Sequence, residues 1–347
     1  MDGALTGIES VLRVGMIGAG DMSNYHLAAW RGIGGAKVVA IANRTLARAE
    51  EQARRYGIEQ VYDDPAEMLE REELDAVDIV TNRDTHVPLV RVAASHSVAV
   101  MCQKPLAPSL AEAEALVAEL AGKTRLMVHE NRRFAPHFRA IKRWIDDGRV
   151  GTPRHCVMTT YRSSLLKGAD GKRPSVDRAG YFATEPRLMI GEALIHQLDV
   201  LRFLLGPMRV VAARTLHTEA EIAGETVAGI MLEVEAGGAP VLLAGTYVAP
   251  GFGAPRPGSS AVGAQTADRF ELTATDASVV MTDDRLELRG ATSESVPVDY
   301  AAVYQQCFDA ATAHFVDRLR DGLPFETSGE DNLETLRLVE DAYWLAG

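Results

Sequence analysis

The run Val11 to Ile17 leads straight into Gly18-Ala19-Gly20. A short apolar run that ends on glycine reads as a buried parallel strand forced into a tight turn. Ser23 to Ile33 then reads as a helix, and Gly34-Gly35 stops it. The alternation repeats. Strand-like runs occupy Val38 to Ala42, Val61-Tyr62, Val77 to Thr81, Val98 to Cys102 and Arg125 to His129. Helical stretches occupy Leu46 to Tyr56, Pro65 to Arg71, His86 to Ser95 and Ser109 to Leu120. Strands and helices at this spacing imply βαβ units and a doubly wound parallel sheet.

The pattern changes after residue 130. Ala135 to Asp147 reads as a helix, Arg154 to Tyr161 as a strand, and Ser163 to Tyr181 as a polar loop beside a site. Arg187 to Leu205 reads as one long helical segment. Closely spaced strand-like runs follow from Arg209 to Arg289, with a Gly- and Pro-rich loop expected over Ala249 to Ala267. Few helices separate them, which implies a mostly antiparallel sheet. Helices are expected over Ala302 to Asp321 and Glu330 to Leu345. The α/β chain therefore divides into a doubly wound domain over 1–130 and a second α/β domain over 131–330. A C-terminal helix over 331–347 is expected to pack back near the first domain.

The 347-residue length suits two domains. A net charge of −12 without a basic run argues against nucleic-acid and anionic-membrane partners. Cys102, Cys156 and Cys307 are widely spaced, which speaks against a disulfide framework or a thiolate zinc site. Met1 to Leu12 lacks the signal-peptide pattern, and no stretch of about 18 apolar residues occurs. A cytoplasmic protein is expected.

Gly18 and Gly20 fit the first two glycines of a dinucleotide-binding turn. The first allows the tight turn, and the second the approach of backbone to pyrophosphate, with Asp21 and Met22 completing the loop. The helix N-terminus adds N–H groups and a positive dipole end. Ser23 replaces the third glycine. The second strand ends on Asn43-Arg44 rather than on an acid for the ribose hydroxyl. Arg44 suits a 2′-phosphate, so NADP(H) is favoured over NAD(H).

Further stretches complete a pattern: His26, Asn82-Arg83-Asp84-Thr85-His86, Gln103-Lys104-Pro105, Asn131 with Arg133-Phe134, and Gly191-Glu192 through His196 to Asp199. Together with the glycine turn they resemble the Gfo/Idh/MocA family, named for glucose–fructose oxidoreductase, inositol dehydrogenase and a rhizopine catabolism protein. The resemblance implies a Rossmann domain, a second domain with an open-faced sheet, and a homodimer or homotetramer through that face. It implies hydride transfer between nicotinamide and a hydroxyl-bearing carbon of a sugar, sugar acid or cyclitol. Lys104 matches the lysine of the family's Glu-Lys-Pro motif, with Gln103 replacing Glu. Glu192 and His196 match its Asp-x-x-x-His pair, with Glu replacing Asp. Thr81, Asn82, His86, Gln103, Lys104 and Asn131 are placed against the cofactor, and Tyr161, Arg162 and Asp199 against substrate, together with Lys104, Glu192 and His196.

The chemistry fits this assignment. Oxidising an alcohol needs a base poised near working pH. A partly desolvated lysine beside a cationic ring meets that need. Glu192 and His196, four apart, share one helix face. His196 is assigned as proton donor and acceptor, Lys104 as its partner and Glu192 as the orienting acid, and direct transfer by Lys104 stays open. No metal site is expected. A reductase of an aromatic diol, imine or tetrapyrrole, or a non-catalytic NADP(H) sensor, are the alternatives.

Overall fold

The computed structural model describes residues 11–251, 266–282 and 284–347. The N-terminal segment and most of the expected loop over Ala249 to Ala267 lie outside them. The described residues form two compact units. One is the chain up to Glu130 together with Phe308–Leu333; the other is Asn131–Cys307 with Glu334–Gly347.

In the first unit, β1 (Leu12–Ile17), β2 (Ala36–Ala42), β3 (Gln60–Tyr62), β4 (Ala76–Ile79), β5 (Ala99–Gln103) and β6 (Leu126–His129) pair in parallel in the order β3-β2-β1-β4-β5-β6. Nearly every residue of β1, β2, β4 and β5 is buried, as expected for strands covered on both faces. The crossovers are α1 (Ser23–Gly32), α2 (Leu46–Tyr56), α3 (Pro65–Arg71), α4 (His86–Ser95) and α5 (Leu110–Leu120). Their ends follow local chemistry. Asp64 caps α3 by accepting from the Ala66 N–H, Ser109 caps α5, and Gly57 closes α2 at φ +72°. Register places Ala42, Ile17, Ile79, Cys102 and Val128 in one row across five strands. The loops that follow these residues therefore leave the sheet at one edge.

Phe308–Leu333 belongs to this unit, where 131–330 was expected to form the second domain. The reason is aromatic packing and hydrogen bonding around a helix end. Phe308, in α9 (Tyr300–Asp321), stacks on Tyr25 at 5.3 Å, and Phe315 meets Trp30 edge-on at 6.1 Å. Arg125 donates to the carbonyls of Arg318, Leu319 and Leu323 at and just beyond the end of that helix. Thr327 Oγ1 bonds the Val128 carbonyl at 2.7 Å. Glu334–Gly347, most of α10 (Gly329–Ala346), belongs instead to the second unit. The expected boundary at 330 is therefore replaced by crossings at 307/308 and 333/334.

The second unit is built on an eight-stranded sheet, β14-β13-β12-β11-β7-β10-β9-β8. Its strands are β7 (Pro153–Arg162), β8 (Met208–Leu216), β9 (Val227–Val234), β10 (Pro240–Thr246), β11 (Thr266–Ala274), β12 (Ala277–Met281), β13 (Arg285–Gly290) and β14 (Glu294–Pro297). Only the β7–β10 pair is parallel among them. Side chains alternate: Ala228, Ile230, Leu232 and Val234 are buried, whereas Met231 and its cross-strand partner Leu242 are exposed. α6 (Pro136–Asp146) and α8 (Ile195–Leu205) pack together in this unit. The polar stretch expected to be loop carries α7 (Pro174–Arg178) and a 3₁₀ turn at Gly180–Ala183.

His137 on α6 is buried, and neither ring nitrogen has a hydrogen-bond partner among the described residues. Burial, with the Arg132 charge second, pulls its pKa down to about 3. The native ring therefore stays neutral while the unfolded chain takes up a proton below its ordinary pKa of about 6.5. The unfolded state binds more protons, so this contribution is complete above that pH and is lost as pH falls. Between pH 7 and pH 5 the loss is about 2 kcal/mol. His137→Phe should shrink the difference in unfolding free energy between those pH values by about that amount. An undiminished difference in denaturant titrations contradicts the assignment.

Candidate active site

The glycine turn is held from three sides. A Cβ at Gly18, where φ is +114°, would stand 2.2 Å from the Val80 carbonyl oxygen, so only glycine fits. The Asn43 side-chain oxygen accepts from the Ala19 N–H at 3.1 Å, and the Ser23 hydroxyl bonds the Gly20 carbonyl at 2.6 Å. Ser23 thus ties the turn that a third glycine would leave untied. Gly20 differs from Gly18: a Cβ there would meet no protein atom within 4 Å. Packing does not demand glycine at 20, whereas close approach of a pyrophosphate does. The start of α1 has no side-chain cap and no acid in its first turn, which suits an anion. The residues present therefore fit a dinucleotide. Asn43 braces the turn, while Arg44 beside it is exposed.

The same edge carries the loops after β4 and β5. Thr81 Oγ1 lies 2.8 Å from Thr85 Oγ1, and Asn82 is exposed. His86, expected to touch cofactor, is buried instead. Its Nδ1 lies 2.8 Å from the Pro105 carbonyl oxygen and its Nε2 3.1 Å from that of Thr81, so it braces two loops against each other. Gln103 is likewise a brace: its amide meets His26, His129 and the Lys104 N–H. Lys104 follows at the C-terminal end of β5, half-buried, with a cis bond to Pro105.

In the second unit the expected single helix over Arg187 to Leu205 begins later and differently. Met189–Leu194 forms a π-helical turn before α8. Glu192 lies on that turn and His196 in the first turn of α8, both partly exposed. The turn is held by two residues that spacing did not flag. Glu225 is buried; it accepts from the N–H groups of Leu188 at 3.0 Å and Ile190 at 2.9 Å. Tyr343 donates to Glu225 at 2.6 Å and accepts from the Gly191 N–H at 3.0 Å. Burial and then the Glu225 charge raise the Tyr343 phenol above its usual range. Gly224 makes this possible, because a Cβ there would stand 2.4 Å from the Glu185 carbonyl oxygen. External acceptors thus serve the N–H groups that a helix start leaves unpaired, and they select a wide turn of the kind often found at functional sites.

Around Glu192, the Tyr181 hydroxyl approaches its carboxylate at 3.4 Å. Arg162 bonds the hydroxyl of buried Tyr247 at 3.3 Å, and Tyr161 lies beside Arg269. Asp199, expected to contact substrate, does not fit that role. It is fully buried, paired with both Nε and Nη2 of Arg133, and accepts from Thr335. Asn131 is buried at the start of the 3₁₀ turn Arg132–Phe134. Among the described residues no group of three or more His, Cys, Asp or Glu side chains is arranged to hold a metal ion. No helix among them is long and apolar enough to cross a membrane.

Two family models match the chain. Residues 12–131 match an oxidoreductase family with an NAD-binding Rossmann fold, and residues 138–280 match a GFO/IDH/MocA C-terminal domain. A D-apiose dehydrogenase of Paraburkholderia graminis is 36% identical, over 94% of this chain and 86% of the relative. An inositol 2-dehydrogenase 4 of Saccharopolyspora erythraea is 30% identical, over 90% and 86%. A solved oxidoreductase from Agrobacterium radiobacter, in complex with NAD+, L-tartaric acid and magnesium, is similar with a TM-score of 0.86 and 30% identity, covering 97% of this chain and 96% of that one.

Tyr343→Phe removes the acceptor of the Gly191 N–H and one of the two donors to Glu225 Oε1, which keeps the Ile190 N–H. The expected cost is about 1–3 kcal/mol in denaturant unfolding. A wild-type midpoint would show that the turn does not depend on this bond.

Proposed function

Because the chain belongs to the Gfo/Idh/MocA oxidoreductase family, we propose that it moves a hydride between nicotinamide and a hydroxyl-bearing carbon of a sugar, sugar acid or cyclitol. The observation that carries this reading is the common edge of the parallel sheet. Ile17, Ile79 and Cys102 share a row, so the phosphate-binding turn and Lys104 emerge on the same side of the first unit. The sugar and cyclitol names of the relatives give the substrate class.

The bound nicotinamide supplies the hydride acceptor or donor. The chain supplies the rest. Its glycine turn and the start of α1 bind the pyrophosphate. Lys104 Nζ and the His196 imidazole handle the hydroxyl proton. Glu192 stabilises the imidazolium form of His196, and the Tyr181 hydroxyl approaches Glu192 at 3.4 Å. Lys104→Met and His196→Ala should each abolish turnover on a polyol and aldose panel while cofactor binding, followed by fluorescence, survives. Full turnover in both would refute the site.

For the cofactor we propose NADP(H), because the end of β2 offers an exposed Arg44 and no carboxylate. The NAD+ in the Agrobacterium radiobacter structure favours NAD(H) as the second reading. Arg44→Ala should cut kcat/KM for NADP+ by about tenfold or more and leave that for NAD+ nearly unchanged. Equal losses would remove Arg44 from cofactor choice.

A further inference from the structure

Beneath Lys104 lies a buried hydrogen-bond set that proton transfer does not use. His26 on α1 and Asp78 on β4 are fully buried. His26 Nδ1 lies 2.8 Å from Asp78 Oδ2, which also accepts from the Trp30 indole N–H at 2.7 Å. On its other side His26 Nε2 lies 2.7 Å from the Gln103 amide nitrogen. That nitrogen also lies 3.2 Å from His129 Nδ1 on β6. The Gln103 amide oxygen accepts from the Lys104 backbone N–H at 3.1 Å.

The donors and acceptors admit one arrangement. The Lys104 N–H can only donate, so the atom facing it must be the amide oxygen. The amide NH₂ group then faces both imidazoles and needs a lone pair from each. His26 must therefore keep its proton on Nδ1, where Asp78 receives it. A turned-over amide would set N–H against the Lys104 N–H and would require Nε2–H on His26. With Nδ1 already serving Asp78, that ring would have to be charged. Glutamate, which the Glu-Lys-Pro pattern places at this position, would make the same demand. The titratable groups around His26 are Asp78 from β4 and His129 from β6. Cys102 of β5 has its thiol raised by burial and by Asp78. Trp30 from α1 and Phe308 from α9 complete the surroundings without titrating.

We propose that Asp78, His26 and Gln103 are positioning residues for Lys104: a chain of hydrogen bonds runs from a buried carboxylate, through a neutral Nδ1–H imidazole and an amide, to the backbone of the reactive lysine. This rests on the catalytic reading of Lys104 given above. The chain fixes where the lysine leaves the strand, and it does so without a titrating group at position 103.

The test joins a spectroscopic and a kinetic readout. Long-range ¹⁵N–¹H spectra of histidine-labelled wild-type protein should show His26 protonated at Nδ1 only across neutral pH. An Nε2–H tautomer or an imidazolium would overturn the proposal. In Gln103→Glu, His26 should become doubly protonated. Its kcat should fall by about tenfold or more, with KM for the dinucleotide little changed and a new ionisation in the kcat–pH profile. A wild-type kcat and profile in that variant would also overturn it. The tautomer is read without turnover, so it stands apart from the role of Lys104. If Lys104→Met kept full activity, the functional reading would fail while the spectra still reported on the hydrogen-bond chain.

Discussion

The carbonyl of Val80 sits where a side chain on residue 18 would have to be. This contact presses the turn after β1 against the end of β4, and much of the first unit follows from it. The turn is tight, and α1 starts at Ser23 directly after it with no side-chain cap. Asn43 and Ser23 then pin the turn from either side. Because β1, β4 and β5 are in parallel register, the loop bearing Lys104 leaves from the same edge.

Both units treat buried polar groups alike. Charges and amides out of water are costly unless their bonds are made. Buried Asp78, Glu225 and Asp199 are accordingly engaged in bracing, as is the partly exposed Gln103. Lys104, Glu192 and His196, which carry the proposed chemistry, are partly exposed. Each segment of the proposed site thus rests on a hydrogen-bonded polar support: His26, Asp78 and Gln103 under the Lys104 loop, Glu225 and Tyr343 under the Glu192 turn. Tight bonding of such supports keeps loop residues in place where backbone alone would not.

Much of this was legible in the sequence, for physical reasons. Parallel strands buried on both faces read as apolar runs, and glycines, prolines and caps mark where helices stop and start. The strands of the first sheet and the boundaries of α2, α3 and α4 follow from those signals. Site residues were legible by address and not by direction. His86, Gln103 and Asp199 lie in segments of the proposed site, but their side chains turn inward to bonds that sequence does not display. Glu225 and Tyr343 gave no signal because they act across the fold; Tyr343 lies 152 residues from Gly191. The π turn was invisible because its composition continues that of α8. The placement of Phe308–Leu333 depends on aromatic packing against α1 that periodicity does not encode.

On the proposed function, the edge shared by the glycine turn and Lys104 carries hydride transfer from a hydroxyl-bearing carbon. A panel of C-deuterated sugars and cyclitols, incubated with NADP+ and NAD+, tests it through the mass of the reduced nicotinamide. In the wild type at least one substrate should give reduced cofactor carrying deuterium in place of one hydrogen, with no transfer in Lys104→Met. Reduced cofactor formed without deuterium, or equal transfer by the variant, would contradict it.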